Sequence, residues 1–463
     1  MMLNRLISRL IYPLQEQLLR RPTFAYLREL ERSQWLSRPE IAQLQLQKLQ
    51  GLLGVAAQHC PWHAARIQAA GLDLTCPFTL ADFQKLPPMD KADAAANRDQ
   101  LVWHGAPGGT FRYNTGGSSG QPLIFYYGRQ RQASDAAGRM RARRWWGVEP
   151  GEREVYLWGA PVELNKTDRI KTLRDRLVNQ LVLNAFAMSP VQMDAYVQAI
   201  QSWQPRCLYG YASSVALLAA HAQARGMRFK LPKLRVVCTT GEPLFPHQRA
   251  LIQEVFGVPV ANEFGSRDIG FTAHETPHGQ MLLSSESILL EVLDSQGQPV
   301  KPGEEGEAVM SGLCSEAQPF IRYRTGDMVR MSEELCRDGR GLHVIAEVVG
   351  RSTDFLVKSD GTIMHALAGI YVLRAVEGVA EFKLIQHALR DVEVLVVRNT
   401  NWRETSLRKI ETGLKQRMGE DVNIRIQLVD DIAPEASGKH RYVVSHVALG
   451  GGLSIATATG AAN

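Results

Sequence analysis

The sequence predicts an α/β chain in two parts: a large N-terminal domain with mostly parallel sheets and a small C-terminal α+β domain. Three observations lead there. Between about residues 150 and 260, short β-rich apolar runs alternate with amphipathic stretches of helix length, the pattern of βαβ units. From about residue 280 the runs lie closer together, with Gly297 and Pro302-Gly303 as turns, as antiparallel strands require. After Gly350-Arg351, about 100 residues read strand, helix, strand, strand, helix, strand.

The elements follow in order. Residues 1–100 are a mainly helical lead-in. In 41–53, Leu46, Leu49 and Leu53 recur at helical spacing, so one face is apolar and the glutamines take the other. Segments 155–158, 207–209, 234–239 and 258–261 read as strands, and 191–203, 213–225 and 246–256 as the helices between them. Segments 288–293 and 306–310 read as antiparallel strands. In the C-terminal part, 367–376 and 403–418 are helical, and 381–387, 392–397 and 424–429 are extended. The domains are therefore 1–349 and 350–447. The tail 448–463 is Gly, Ala, Ser and Thr for the most part, a composition that does not build a core.

The chain has 463 residues, 45% hydrophobic and 22% charged, which is enough for sizeable cores in more than one domain. A net charge of +6 suits anionic partners such as a nucleotide, coenzyme A or a membrane surface. Six dispersed cysteines form no Cys-x-x-Cys pair, so they are not a disulfide framework and fit a reducing compartment. No run approaches the roughly 18 apolar residues of a spanning helix. The first residues also lack a signal peptide's apolar stretch, so a cytoplasmic location is expected. Segment 3–21 is basic and amphipathic. It has the composition of an ordinary packed helix and also that of a helix on the inner face of a membrane.

Asn114-Thr115-Gly116-Gly117-Ser118-Ser119-Gly120-Gln121-Pro122 is the sharpest local signal. Three glycines let backbone N–H groups turn inward around phosphate oxygens, and the hydroxyls add donors. It lacks the Gly-Lys-Ser/Thr ending of a Walker loop. In order there follow Thr240-Gly241-Glu242-Pro243, Glu263-Phe264-Gly265-Ser266-Arg267-Asp268, Arg322-Tyr323-Arg324-Thr325-Gly326-Asp327, Gly350-Arg351-Ser352-Thr353-Asp354 and Ser437-Gly438-Lys439. Earlier stand Ser33-Gln34-Trp35-Leu36-Ser37, Leu86-Pro87-Pro88-Met89-Asp90-Lys91 and Tyr209-Gly210-Tyr211-Ala212-Ser213-Ser214.

This series, spanning about residues 20–447, resembles the adenylate-forming superfamily of acyl-CoA synthetases. Within that superfamily it is similar to the phenylacetate–CoA ligase family, in its capsule-biosynthesis-related branch. The resemblance implies a ligase that uses ATP and Mg²⁺ to turn a carboxylic acid into acyl-AMP and pyrophosphate. It then passes the acyl group to a thiol, coenzyme A or, alternatively, that of an acyl-carrier protein. It implies that the small domain is a mobile lid that rotates between the two steps, with its hinge at Thr353. The loop Thr115, Gly116, Gly117, Ser118, Ser119 and Gly120 would hold the phosphates. Gly241, Glu242 and Pro243 would edge the adenine, with Phe264 stacking against it or lining the acyl pocket, and Asp327 and Arg351 would bind the ribose. Asp268 would help ligate the Mg²⁺ that bridges the phosphates, and Lys439 would stabilise the adenylation transition state. Trp158, Tyr209 and Tyr211 suggest the acyl pocket wall. The chain departs from the family pattern at Gln121 (often Lys), Phe264 (Tyr), Arg267 (Ser or Thr), Asp268 (Glu) and Thr353 (Asp or Lys). These departures keep open a reading as a non-catalytic or membrane-surface interaction protein derived from the family.

Two other clusters carry blander readings. His274, Glu275, His278, Cys314 and Cys336 sit where some related chains hold zinc. However, Thr276 stands in place of a cysteine and the four-ligand set is incomplete, which argues against a structural zinc. Arg129, Arg131, Arg139, Arg141, Arg143 and Arg144, followed by Trp145 and Trp146, read as a helix with one solvated basic face. They are not read as a nucleic-acid surface.

Overall fold

The computed structural model describes residues 7–114, 123–158, 175–185, 188–242, 244, 246–351, 355–360, 363–365, 367–432 and 443–447. The chain divides into two compact units, Met1–Val349 and Gly350–Asn463. The proposed tail 448–463 lies outside the described residues.

The first unit opens with helices. Ser37 and Glu40 form a capping box that starts the helix Arg38–His59. Its buried face is Ile41, Leu49, Leu52, Leu53 and Ala56. The glutamines do not all take the outer face. Gln45 is buried on the core side, where its amide donates to the carbonyls of Ser285 (2.8 Å) and Ile288 (3.1 Å). A buried amide is acceptable where backbone acceptors meet it.

A hairpin of β1 (Phe111–Asn114) and β2 (Ile124–Tyr127) flanks the phosphate-loop candidate. The main sheet has eleven strands: β3 (Glu154–Trp158), β4 (Gln180–Asn184), β5 (Cys207–Tyr211), β6 (Val236–Thr240), β7 (Val260–Ser266), β8 (Gly270–Glu275), β9 (Met281–Leu283), β10 (Ile288–Leu293), β11 (Glu305–Gly312), β12 (Tyr323–Ser332) and β13 (Val344–Arg351). Their order is β10-β11-β12-β13-β9-β8-β7-β6-β5-β3-β4. Strands β4, β3, β5, β6 and β7 run parallel. The pairs β7·β8, β8·β9, β9·β13, β10·β11 and β11·β12 are antiparallel.

The parallel half is buried on both faces. Val155, Leu157, Leu208, Val237 and Val260 pack under the helices Pro190–Trp203, Ala212–Ala224 and Pro246–Phe256. The alternate residues Cys207, Tyr209, Val236, Cys238 and Ala261 form a second cluster on the opposite face. The helix Arg129–Trp145 also meets this unit through Gly138, where an added Cβ would collide with the Phe271 ring.

That helix corrects the expectation of a solvated basic face. Arg131, Arg141 and Arg143 are buried. Arg141 pairs with the buried Glu286 at 2.5 Å, and Arg143 pairs with Glu154 at 2.7 Å and donates to the Tyr156 hydroxyl at 2.8 Å. A buried guanidinium needs a carboxylate and further acceptors; here Glu154 opens β3, and Glu286 lies in the turn between β9 and β10.

The second unit is built on β16 (Val379–Ala388) and β17 (Asp391–Arg398), an antiparallel pair. β18 (Asn423–Val429) runs parallel to β17, and β19 (Val443–Ser445) runs parallel to β16. Two short strands, β14 (Phe355–Val357) and β15 (Ile363–His365), form a separate antiparallel pair. Val392, Val394 and Val396 alternate into a core shared with Ile410, Leu414 and Met418 of the helix Thr405–Met418. The second helix is Leu367–Arg374.

Candidate functional site

Trp158, Tyr209, Tyr211, Thr240, Gly241 and Phe264 stand at or near the carboxyl ends of the parallel strands β3, β5, β6 and β7. Open α/β sheets bind ligands at that edge. Gly241 follows β6 with φ +79°, a left-handed turn that glycine adopts without a side-chain clash. Glu242 accepts from the backbone N–H of Ser213 at 2.5 Å, at the positive end of the helix Ala212–Ala224.

Trp158 stacks on Tyr211 with ring centroids 4.4 Å apart and on Tyr209 at 5.6 Å. The three rings form one aromatic wall. The Tyr209 hydroxyl donates to Glu263 at 2.8 Å, and Glu263 also accepts from Arg139 (3.2 Å) and from Thr240 (3.3 Å). Burial, with this carboxylate alongside, holds the Tyr209 hydroxyl protonated well above its ordinary range. Burial likewise raises Tyr211, against the opposing pull of the neighbouring Arg267 guanidinium. Arg267 itself is exposed and lies over the Tyr113 ring at 5.8 Å.

Asp268 is buried in the turn between β7 and β8 and accepts from the Tyr323 hydroxyl at 2.9 Å. This bond ties two motifs that lie 55 residues apart in sequence. Asp327 is buried on β12, after Gly326 with φ +75°, and its N–H donates to Thr325 Oγ1 at 3.1 Å. The same motif is anchored from the other side. Met89 and Arg324 exchange backbone bonds, Met89 N–H donating to the Arg322 carbonyl and Arg324 N–H to that of Met89, each at 2.8 Å. Arg322, held at φ +52°, pairs with Glu291 at 3.0 Å and donates to the carbonyls of Gln84 and Leu86. The segment Leu86–Lys91 is thus a brace for the strand that carries Asp327.

The turn carrying Asp268 is itself held by Arg131, which the sequence suggested only as part of a solvated basic face, and by Asp135, which it did not single out. Arg131 donates to the Arg267 carbonyl at 2.5 Å, and Asp135 accepts from the Phe271 N–H at 3.0 Å. Gly270, at φ +109°, has no room for a Cβ against the Asp135 carboxylate. The only sequence signal for this clamp is the i,i+4 spacing of Arg131 and Asp135, whose charges lie 3.7 Å apart.

The other expected site residues are placed as follows. Arg351 closes β13. The loop Thr115–Gly120 with Gln121, Pro243, the hinge residue Thr353 and Lys439 all lie outside the described residues. The zinc candidates go to separate surroundings. His274 Nδ1 meets the Glu275 carbonyl at 2.8 Å, His278 pairs with Asp338 at 2.7 Å, Cys336 packs with Leu282, Leu342 and Val344, and Cys314 sits near Tyr26 and Ser134. Among the described residues no group of three or more His, Cys, Asp or Glu side chains is arranged to hold a metal ion.

Comparison with solved structures gives the fold a class. The chain superposes on 2-hydroxyisobutyryl-CoA ligase, in its postadenylation state with 2-HIB-AMP, with a TM-score of 0.70. That match covers 89% of this chain and 90% of that one at 20% identity. At that identity the likeness is one of fold. In sequence, the chain is similar to CapK and to phenylacetate–CoA ligases. It is 22% identical to Protein CapK of Staphylococcus aureus over 80% of its own length and 82% of that protein. It is 25% identical to the phenylacetate–coenzyme A ligase of Pseudomonas putida, over 68% and 72%. Residues 356–446 match the family described as the CapK C-terminal domain.

Proposed function

We propose that this protein activates a carboxylic acid with ATP and transfers the acyl group to a thiol, that of coenzyme A. A carboxylate oxygen of the acid attacks the α-phosphorus, the bond to the β-phosphate breaks, and pyrophosphate leaves. The thiolate then attacks the acyl carbon and AMP departs. The observation that carries this reading is the 2.9 Å bond between Tyr323 and Asp268. It joins the Asp268 turn to the strand bearing Asp327, beside the Gly241 turn and the aromatic wall.

Each residue has a physical task in this scheme. Asp327 accepts from the ribose hydroxyls. Phe264 stacks by the adenine, and Gly241 lets the backbone approach it. Asp268 fits a Mg²⁺ that arrives on ATP, because an ion bound mainly through phosphate oxygens and water needs only one or two protein carboxylates. The Tyr323 hydroxyl holds that carboxylate in place. Lys439 supplies an ammonium at the pentavalent phosphorus during adenylation only. Relatives named as coenzyme A ligases support the choice of thiol.

The test is a pair of half-reactions, with acids screened by hydroxamate trapping of acyl-AMP. Lys439→Ala should slow acyl-AMP formation about 10²–10³-fold, the usual cost of losing a preorganised charge in the transition state. Thiol transfer from supplied acyl-AMP should survive. No ATP-dependent pyrophosphate release with any acid in a broad pool would sink the proposal.

A further inference from the structure

The N-terminal helical segment packs on one side and is bare on the other. A π-helical turn, Ile7–Ile11, runs directly into the helix Tyr12–Leu18. Its inner side holds Ile7 and Glu16, with the Tyr12 ring edge-on to Phe24 at 5.6 Å. Glu16 is turned inward, where it accepts from Arg21 at 2.5 Å and from the Thr23 hydroxyl. On the outer side Leu10, Leu14 and Leu18 are 58%, 51% and 76% exposed. A lone exposed leucine needs no explanation, whereas three at four-residue spacing form a continuous apolar stripe.

The charge around the stripe has one sign. Arg9 and Arg20 are exposed on this segment, and Arg28 and Arg32 on the following helix, Thr23–Ser33. Among the described residues none of these four stands in an ion pair. The acidic groups nearby are already taken: Glu16 by Arg21, Glu29 by Lys48 and Glu31 by Arg144. An outer face of leucines flanked by unneutralised arginines complements a surface that is apolar beneath and anionic on top. A second copy of the chain is a poorer occupant, because a two-fold contact would bring the same arginines face to face.

We propose that residues 7–20 form a peripheral docking site for an anionic lipid bilayer. Leu10, Leu14 and Leu18 lie at the headgroup–acyl boundary, and Arg9 and Arg20 lie on the lipid phosphates. No helix among the described residues is long and apolar enough to cross the membrane, so the contact is on its surface. This inference does not depend on the proposed chemistry.

Co-sedimentation of the full chain with vesicles tests it, using phosphatidylcholine alone and mixed with phosphatidylglycerol. The wild type should bind the anionic vesicles at least about tenfold better than the neutral ones, since each arginine near such a surface contributes about fivefold. Leu10→Ser/Leu14→Ser/Leu18→Ser should lose about tenfold or more on either vesicle. Arg9→Glu/Arg20→Glu should lose the preference for anionic lipid and leave the unfolding temperature unchanged. Wild type that ignores anionic vesicles would overturn the proposal, as would both variants binding like wild type. If the leucine variant instead converts an oligomer to a monomer while wild type ignores vesicles, the stripe belongs to a second copy.

Discussion

Two sets of arginines on helices in the first unit meet opposite fates. On the helix Arg129–Trp145, Arg131, Arg141 and Arg143 are buried at 5%, 1% and 6% exposure. On the N-terminal segment and the next helix, Arg9, Arg20, Arg28 and Arg32 face solvent. Composition alone does not separate the sets, since both are arginine-rich and helical. What separates them is the opposing surface. The first helix lies against Glu154 of β3, Glu263 of β7 and Glu286 of the turn between β9 and β10, and it has acquired structural and positioning tasks. The second set has no such surface and keeps its charge available. An arginine-rich helix therefore does not identify a ligand until its partners are known.

The largest effect should come from the buried set. Arg141→Ala leaves Glu286 charged in the core beside Ser33, and breaking a pair of this kind costs about 3–5 kcal/mol. Denaturant unfolding should show that loss, and Arg141→Met/Glu286→Leu should recover most of it. A loss under about 1 kcal/mol in the single variant would erase the distinction between the two sets.

Histidines sharpen the contrast, because the core also holds titratable groups that are buried without charge. Burial lowers His343 from 6.5 to about 4, helped by Arg38, and lowers His63 to about 3, helped by Arg66. Both folded values lie below the unfolded one. Above about pH 6.5 neither group affects stability, and as pH falls toward 4 the unfolded chain binds protons that the fold refuses. By the foot of its window His343 should cost roughly 3 kcal/mol and His63 roughly 5 kcal/mol. His343→Asn should flatten the decline in unfolding free energy between about pH 6.5 and 4, and an unchanged slope would remove His343 from it.

Asp135→Ala tests the clamp on the Asp268 turn. The turn would loosen while Arg131 and the core remain, so kcat for the proposed adenylation should fall about tenfold, close to 1.4 kcal/mol. The change should appear in kcat more than in the KM for the acid, and Asp135→Asn should restore part of it. A pure stability loss with unchanged kcat would make Asp135 structural only. Arg28→Ala and Arg32→Ala should give the smallest effects, within about 0.5 kcal/mol of wild-type stability. A larger loss in thermal unfolding would mean that this face is not free.

Much of the fold was legible because it depends on local periodicity. The β17 alternation of Val392, Val394 and Val396 and the apolar face of Thr405–Met418 appear in the sequence as they do in space. Elements set by pairing were harder to read. β19 has only three residues, and β4, β8 and β9 gave no reading as strands. Gln45 looked like a surface glutamine until two carbonyls from β10 and the turn before it arrived to accept its protons.

By itself, the sequence determined the fold class, through the α/β alternation and the α+β pattern after Gly350, and it marked ordered motifs around Gly241, Asp268, Asp327 and Lys439 as candidates. These are properties of runs and spacings along one chain. The tertiary structure alone decided which charges are buried, that Tyr323 holds Asp268, that the Leu86–Lys91 segment braces the Asp327 strand, and that Arg131 and Asp135 clamp the turn between β7 and β8. Each of these depends on a partner tens to hundreds of residues away. A charge or hydroxyl is structural or functional according to the acceptor that meets it, and the distant partner becomes identifiable only when the chain has closed on itself.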